Sequence, residues 1–573
     1  MPANIEIYRD IAIRAVESVF ESEYHNTLGI PMPQIKILLP DDADYITGQY
    51  YIMIDDTWQI HLNFGKLPIS FKEFEDEVKV LTRHEIEHYM CCPFDVITHL
   101  RMLKCIIDVY KKEFSHLDID IQHACGSISN QAADIIVDTK NYLRNPQDTL
   151  ISEINWIKKG ANIKSCPRHN KLMFLTKEAL WNESLEINET DQELLTIVYE
   201  LAEKFKVNGI EDRSSFLSKT EEYARTFLKL YIKDRVSPNN TMQGNQSQQG
   251  NQSQQGGQSQ QGNTPQQNGQ NYNNVKPKDG DKNGSAFIFA DLDNIKEALA
   301  ALAEETNIEE FSDILSAAGI KFLSKSERHK LWFSIQSANI IPIEEYANTG
   351  NKEKYTFPST WRFGDPIDSI DIMLSFMTSP KILPGITTKK WELATRDTRG
   401  SEKKQRDLLL AVDTSGSMGS VLKSNDNMHQ AVLAAYGILS YFESQKRQVA
   451  LVEFADKITT EVSWTKKYDE IRDKLLTNGN GGTQFPIRRI QYILDNSKNE
   501  LVTVIITDGE LGNLNESLNC FRDYLNDDNK LYVFLLGDTP KCKGYDKLRD
   551  VGAHVYNARN AKDFCDMVLS DLQ

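Results

Sequence analysis

Leu408-Leu409-Leu410-Ala411-Val412-Asp413-Thr414-Ser415-Gly416-Ser417-Met418-Gly419 begins as an apolar run of strand length and ends in a turn dense with small hydroxyl residues. Such a run suits a strand buried on both faces, as in a parallel sheet covered by helices. At its carboxyl end Asp413, Ser415 and Ser417 alternate, so that their oxygens can converge on one point. Hard divalent cations take oxygens of this kind, and magnesium keeps several waters while doing so. Further along, Gly481-Gly482-Thr483 brings another hydroxyl on a glycine-rich loop. Val502-Thr503-Val504-Ile505-Ile506-Thr507-Asp508-Gly509 then ends a second apolar strand in an aspartate.

Outward from these loops the pattern continues as strand and helix in alternation. Residues 427–445 read as a helix, 449–454 and 458–464 as strands, 486–494 as a helix behind Thr483, and 531–536 and 554–556 as further strands. That alternation predicts a parallel sheet with helices on both faces, whose ligands bind beyond the carboxyl ends of the strands. The set Asp-x-Ser-x-Ser with a distant Thr and Asp resembles the metal-ion-dependent adhesion site of von Willebrand factor A (vWA) domains, and all five positions match. The resemblance implies a doubly wound, Rossmann-like α/β domain over 406–573. In it Ser415, Ser417 and Thr483 would touch Mg2+ directly, while Asp413 and Asp508 act mostly through water. It also implies one open coordination position, which an acidic side chain of a partner protein fills. The site it describes is one of docking, with no nucleophile or general base.

A second constellation lies far upstream. Residues 5–20 show helical spacing with Ile7, Ile11, Ala15 and Val19 four apart, and 33–40 and 50–64 read as strands around a turn at Asp55-Asp56. Ser70-Phe71-Lys72-Glu73 fits a capping box, and the helix it opens carries His84-Glu85-Ile86-Glu87-His88. Two histidines four apart share a helix face at a spacing suited to one zinc ion, and Glu85 can deprotonate a water there. The residues 130–138, Asn130-Gln131-Ala132-Ala133-Asp134-Ile135-Ile136-Val137-Asp138, read as a later helix with Asp134 and Asp138 on one face. Either could be the third ligand while the other orients a histidine.

The order helix, antiparallel strands, His-Glu-x-x-His helix is that of a minimal zincin. This part resembles bacterial metallopeptidase-like domains in which a His-Glu-x-x-His helix precedes an Asn-x-Ala-Ala-Asp helix, and which can share a polypeptide with a carboxyl-terminal vWA-like domain. Asn130, Ala132, Ala133 and Asp134 match that second motif, which favours Asp134 over Asp138. The expectation is an α+β zincin-like domain over 1–236 with a helical extension, holding Zn2+ through His84, His88 and Asp134 with Glu85 catalytic. Tyr89, His123 and Tyr142 lie near in sequence, but each reads as core or surface, and Cys166-Pro167-Arg168-His169 lacks a second pair for a metal.

Between the two parts, residues 237–285 are Gln, Gly, Ser and Asn with almost nothing apolar to bury, so they read as a disordered tether. A flexible coil of that length spans on the order of 40 Å. Residues 286–405 read as two helices and a Pro-rich extended segment, expected to pack on the vWA domain.

The chain has 573 residues, with 82 acidic against 65 basic side chains, an excess that argues against nucleic acid as the partner. No apolar run reaches the roughly 18–20 residues of a membrane span, and the charged amino terminus lacks a signal-peptide core. Eight cysteines in so long a chain do not form a disulfide framework. A cytoplasmic protein is expected. Many bacterial vWA proteins of that compartment work with MoxR-type AAA+ ATPases, which makes such an ATPase the expected partner. The competing expectation is a non-enzymatic adaptor or a chelatase-like subunit, though the linker of the latter is acidic and Pro-rich.

Overall fold

The computed structural model describes residues 3–25, 32, 34–38, 50–54, 59–64, 71–117, 119–159, 163–236, 292–320, 323–340, 352–361, 369, 375, 388–397, 406–477, 479–497, 499–509, 513–525, 529–537, 545–558 and 561. The stretch 237–285 and the turn at Asp55-Asp56 lie outside them, as does Ser70 of the expected capping box. The chain divides into two units, Met1–Trp332 and Phe333–Gln573.

The first unit opens with helix α1 (Ala3–Val19), then strands β1 (Gln34–Leu38), β2 (Tyr50–Ile54) and β3 (Gln59–Phe64), then helix α2 (Phe71–Met90). Tyr8, Ala12, Ala15, Val16 and Val19 of α1 meet Ile60 of β3 and Phe74, Val78 and Ile86 of α2 in one apolar cluster. Ile7, expected on the buried stripe, is 46% exposed, because Tyr8 takes the inward position beside it. The sheet order is β1-β3-β2. β2 is antiparallel to β3 as expected, but β1 runs parallel to β3. The period-two pattern that marks a strand carries no information about its direction.

No strand follows α2 in this unit among the described residues, only helices and the turns that join them. α3 (Val96–Val109), α4 (Ile121–Arg144), α5 (Pro146–Lys159), α6 (Arg168–Trp181), α7 (Gln192–Lys206) and α8 (Phe216–Val236) follow in order. The amino-terminal part is therefore mostly helical, with one three-stranded sheet, and is less zincin-like than expected. Helices α9 (Leu292–Glu305) and α10 (Ile308–Ala317) also belong to this unit. They pack on α3 and α4, where Lys111 pairs with Asp313 at 3.2 Å and Gln122 Nε2 donates to Asp313 Oδ1 at 3.0 Å. Their buried residues, among them Leu302, Ile308, Phe311 and Leu315, predict that a face is covered but not by which element. The expectation made 286–405 one vWA-associated segment; α9 and α10 fall within the first unit. α11 (Lys325–Ile340) follows, with Arg328 Nε donating to Ser312 Oγ at 3.0 Å.

The second unit carries an antiparallel ribbon, β4 (Lys352–Thr360) with β5 (Lys389–Asp397), ahead of a six-stranded sheet. Its elements are β6 (Asp407–Asp413), α12 (Asn427–Ser444), β7 (Val449–Phe454), β8 (Ile458–Thr465), α13 (Tyr468–Leu475), α14 (Ile487–Asp495), β9 (Leu501–Thr507), α15 (Leu514–Leu525), β10 (Lys530–Leu536), α16 (Asp546–Asp550) and β11 (His554–Ala558). The order is β11-β10-β9-β6-β7-β8. All seven residues of β6 and of β9 are buried, as strands covered on both faces require. Leu409, Ala411, Val452, Ile505 and Val533 share one core with Ile490 of α14 and Phe521 of α15, while α12 packs on the opposite side. The sheet is mixed, not wholly parallel, because β8 is antiparallel to β7. Only three residues join the two, and a parallel neighbour needs a crossover of a dozen or more.

On β7, Glu453 is wholly buried and its Oε2 accepts from Thr477 Oγ1 at 3.2 Å. Burial pushes its carboxyl up from 4.5 to about 7, against the hydrogen bonds of Thr460 and Thr477. A folded value above the unfolded one gives stability that is present below about 4.5 and lost as pH rises through about 7. Glu453→Gln is expected to abolish that fall and to be more stable above pH 7, by on the order of 3 kcal/mol. Urea unfolding of both proteins from pH 5 to 8 checks it, and parallel pH profiles would refute it.

Candidate metal centres

Helix α2 sets His84 and His88 on one face by their spacing of four, and α4 packs against α2 so that Asp134 meets them. Three atoms converge. His88 Nε2 lies 3.1 Å from His84 Nε2 and 3.4 Å from Asp134 Oδ1, and His84 Nε2 lies 3.7 Å from the same oxygen. A tetrahedral zinc with bonds of about 2.0–2.1 Å places its ligand atoms about 3.3–3.4 Å apart, so the triangle suits that ion. Asp134 Oδ1 is buried and makes no hydrogen bond among the described residues, while its Oδ2 accepts from Asn130 Nδ2 at 3.0 Å. Asn130 thus aims the bare oxygen of Asp134 at the histidines.

Asp138, one turn further on, takes the other role. Its Oδ1 accepts from His84 Nδ1 at 2.7 Å, which leaves Nε2 as the nitrogen that faces the site. His88 Nδ1 is fixed by the Cys92 carbonyl at 2.9 Å. The side chains of His84, His88 and Asp134 are 20%, 18% and 15% exposed, so solvent still reaches the triangle.

Three carboxylates surround His84. Burial disfavours the charged form of His84, yet Asp138, Asp134 and Glu85 raise it to about 10. A proton there occupies the place of a cation, and metal binding must displace it. Burial pushes Glu85 up, with the two histidines pulling against it, a direction that suits a general base working near neutrality. Burial would also raise Asp138, but the Lys177 ammonium and His84 hold it well below the usual carboxylate range.

The second centre stands at the carboxyl ends of β6 and β9. These adjacent strands lead to opposite sides of the sheet, the place where ligands of such sheets bind. Asp413 is fully buried; its Oδ1 accepts from Ser415 N at 2.9 Å and its Oδ2 from Thr507 Oγ1 at 2.6 Å. Ser415 Oγ and Ser417 Oγ lie 3.2 Å apart. Asp508 Oδ1 is buried with no hydrogen-bond partner among the described residues. Burial raises the Asp413 carboxyl, Thr507 and Ser415 hold it down, and the charge of Asp508 raises it further. A buried and a half-buried carboxylate with two neighbouring hydroxyls make an oxygen set suited to Mg2+.

The loop carrying Thr483 is tied to this cluster through its backbone, since Gly416 N donates to Gly481 O at 3.0 Å. Asp456, which sequence reasoning missed, anchors the loop by accepting from Gly482 N at 2.7 Å. Gly481 has φ +116°, and a Cβ there would sit 2.4 Å from Asp456 Oδ2, so glycine is required on both counts. Asp456 lies in the three-residue turn between β7 and β8 and bonds across 26 residues, a pairing that no local pattern announces.

Residues 408–510 match the family described as von Willebrand factor type A domain. The chain carries a vWA-type domain. None of the curated proteins matches. Similar solved structures include an aerotolerance-related membrane protein from Bacteroides fragilis NCTC 9343, at 14% identity and a TM-score of 0.24, covering 29% of this chain and 98% of that one. BatB from Bacteroides thetaiotaomicron gives the same four values. The pilus adhesin SpaC from Lactobacillus rhamnosus GG, in its open conformation, is 12% identical with a TM-score of 0.27, over 40% of this chain and 34% of that one. Among the described residues of this chain, no helix is long and apolar enough to cross a membrane.

Proposed function

We propose that the chain is a zinc-dependent hydrolase, most simply a peptidase, joined to a vWA domain that docks a partner protein through magnesium. The observation that carries the hydrolase half is the donor triangle of His84, His88 and Asp134, with Asp134 Oδ1 making no hydrogen bond among the described residues and Asp138 on the far nitrogen of His84. Zinc held there supplies Lewis acidity toward water and a carbonyl oxygen. Glu85, next to the first histidine, takes the proton of the attacking water. His84 and His88 hold their rings by hydrogen bonds to Asp138 and the Cys92 carbonyl, so little reorganises on loading.

The docking half is supported by the oxygens of Asp413, Ser415, Ser417 and Asp508, to which Thr483, on the loop tied to Gly416, and an acidic side chain of the partner would add the remaining ligands. A MoxR-type AAA+ ATPase in the cytoplasm is the partner proposed. Digestion of a peptide library by the zinc-loaded chain tests the enzymatic claim. Glu85→Gln is expected to slow cleavage by about 10²–10⁴-fold while keeping its zinc. Cleavage indifferent to that change, or none by zinc-loaded protein, would leave the docking domain as the working part and the first unit as its scaffold.

A further inference from the structure

Behind the histidine pair a line of charge runs inward through three helices. Asp138 Oδ1 accepts from His84 Nδ1 at 2.7 Å, and Asp138 Oδ2 accepts from Lys177 Nζ on α6. The same ammonium donates to Glu153 Oε1 on α5. Lys177 is only 2% exposed, the side chains of Asp138 and Glu153 are 10% and 14% exposed, and the Phe174 ring lies 5.6 Å from the ammonium. The placement follows from how α6 packs on α4. Trp181 stacks on Tyr142 with centroids 4.7 Å apart and donates from Nε1 to Thr139 Oγ1 at 3.0 Å. One turn before Trp181, on the same face, is Lys177, which must therefore meet Asp138, one residue before Thr139.

Taking a lysine out of water costs several kcal/mol unless its charge is matched. Two carboxylates match it here, and what the arrangement achieves is direction. With Oδ2 of Asp138 held by the ammonium, Oδ1 has one orientation left, toward His84 Nδ1. Without the ammonium, Asp138 Oδ2 would lose the donor that holds it. The carboxylate could then turn about its Cβ–Cγ bond and release the imidazole.

We propose that Lys177 is a positioning residue of the histidine–aspartate metal centre, acting through Asp138 to fix the ring of His84 with Nε2 toward the ion. This rests on the zinc reading above. The role belongs to Lys177 and not to an ordinary buried ion pair, because the acceptor it holds is the one that orients a ligand.

The test is the zinc affinity of the full chain, read by competition with a chromophoric chelator in excess magnesium, together with the visible absorption of the Co2+-substituted protein. Lys177→Met is expected to weaken zinc binding 10–100-fold and to change the Co2+ bands, the usual range for losing a ligand's hydrogen-bonded support. Lys177→Arg, which keeps the cation, should stay within about threefold of the native affinity. In an Asp138→Asn background Lys177→Met should change the affinity little, since the carboxylate it acts through is gone. If Lys177→Met does not fold, Lys177→Met/Glu153→Gln removes the stranded carboxylate as well. Compared with Glu153→Gln alone, it should bind zinc at least tenfold more weakly. Equal affinities in that comparison, or a folded Lys177→Met protein with native affinity and Co2+ bands, overturn the role of Lys177 while leaving the zinc reading intact. A native protein that takes up no zinc overturns both, and is told apart by the first measurement.

Discussion

Purified His84→Ala protein is expected to contain no zinc where the native chain holds one ion per molecule, and Asp134→Ala to lose nearly all of it. Each change removes one of three donor atoms that lie 3.1–3.7 Å from one another. A zinc site with three protein ligands does not survive as a two-ligand site, because protein sites hold the ion with three or four donors at fixed angles. Asp138→Ala separates the alternatives. Its carboxylate meets the Nδ1 side of His84, so its loss should weaken binding about 10–100-fold without abolishing it. Glu85→Gln should retain a full complement, since Glu85 is not among the converging donors. Elemental analysis of the four variants after dialysis against dilute zinc decides the ranking. Zinc retained by His84→Ala, or a greater loss in Asp138→Ala than in Asp134→Ala, would show that the donor set is wrong.

The resemblance of Asn130, Ala132, Ala133 and Asp134 to an Asn-x-Ala-Ala-Asp helix favoured Asp134, but helix geometry alone could not divide the roles of the two aspartates. The spacing of four places Asp134 and Asp138 on one face of α4, and nothing in the spacing says which meets Nε2 and which meets Nδ1 of His84. Packing decides it, because α4 crosses α2 with Asp134 beside both rings and Asp138 beside one. Lys177 carries a local sign of its burial. It lies three residues after Phe174 and four before Trp181, on the apolar stripe of α6, and a lysine on such a stripe is buried only with partners. Strand β6 was legible because the apolar run Leu408–Val412 suits a covered strand, all seven of whose residues are buried, and because its last residue opens the Asp-x-Ser-x-Ser turn. The parallel pairing of β1, the packing of Leu292–Ala317 on α3 and α4 and the anchor at Asp456 were not legible. Each depends on which distant element supplies the partner, and neither periodicity nor composition encodes that.

Magnesium should raise the thermal stability of the vWA unit, and Asp508→Asn should remove that response. Without a cation, the charges of the buried Asp413 and the half-buried Asp508 oppose each other, and Asp508 Oδ1 makes no hydrogen bond among the described residues. Binding to the folded state alone adds about 2.7 kcal/mol when free magnesium is 100 times its Kd, or roughly 5–10 °C in Tm for a unit of this size. The sign with pH follows from Asp413. Its folded value is raised, so in chelator its contribution is present below the ordinary carboxylate range and lost as pH rises through the raised value. The magnesium effect should therefore be smallest in acid and full at neutral pH. Asp508→Asn is the clean variant, because both oxygens of Asp413 accept hydrogen bonds, from Ser415 N and Thr507 Oγ1, and an amide there would set a donor against a donor. In chelator the Asp508→Asn protein should be at least as stable as the native one, since a repulsion is gone and no hydrogen bond to Oδ1 is lost. Scanning calorimetry of both proteins, with magnesium and with chelator, reads all four states. A magnesium shift that persists in Asp508→Asn would place the ion elsewhere. No shift in the native protein would mean that the cluster of Asp413, Ser415, Ser417 and Asp508 closes the turn after β6 without holding a cation, and the docking half of the proposed function would fall with it.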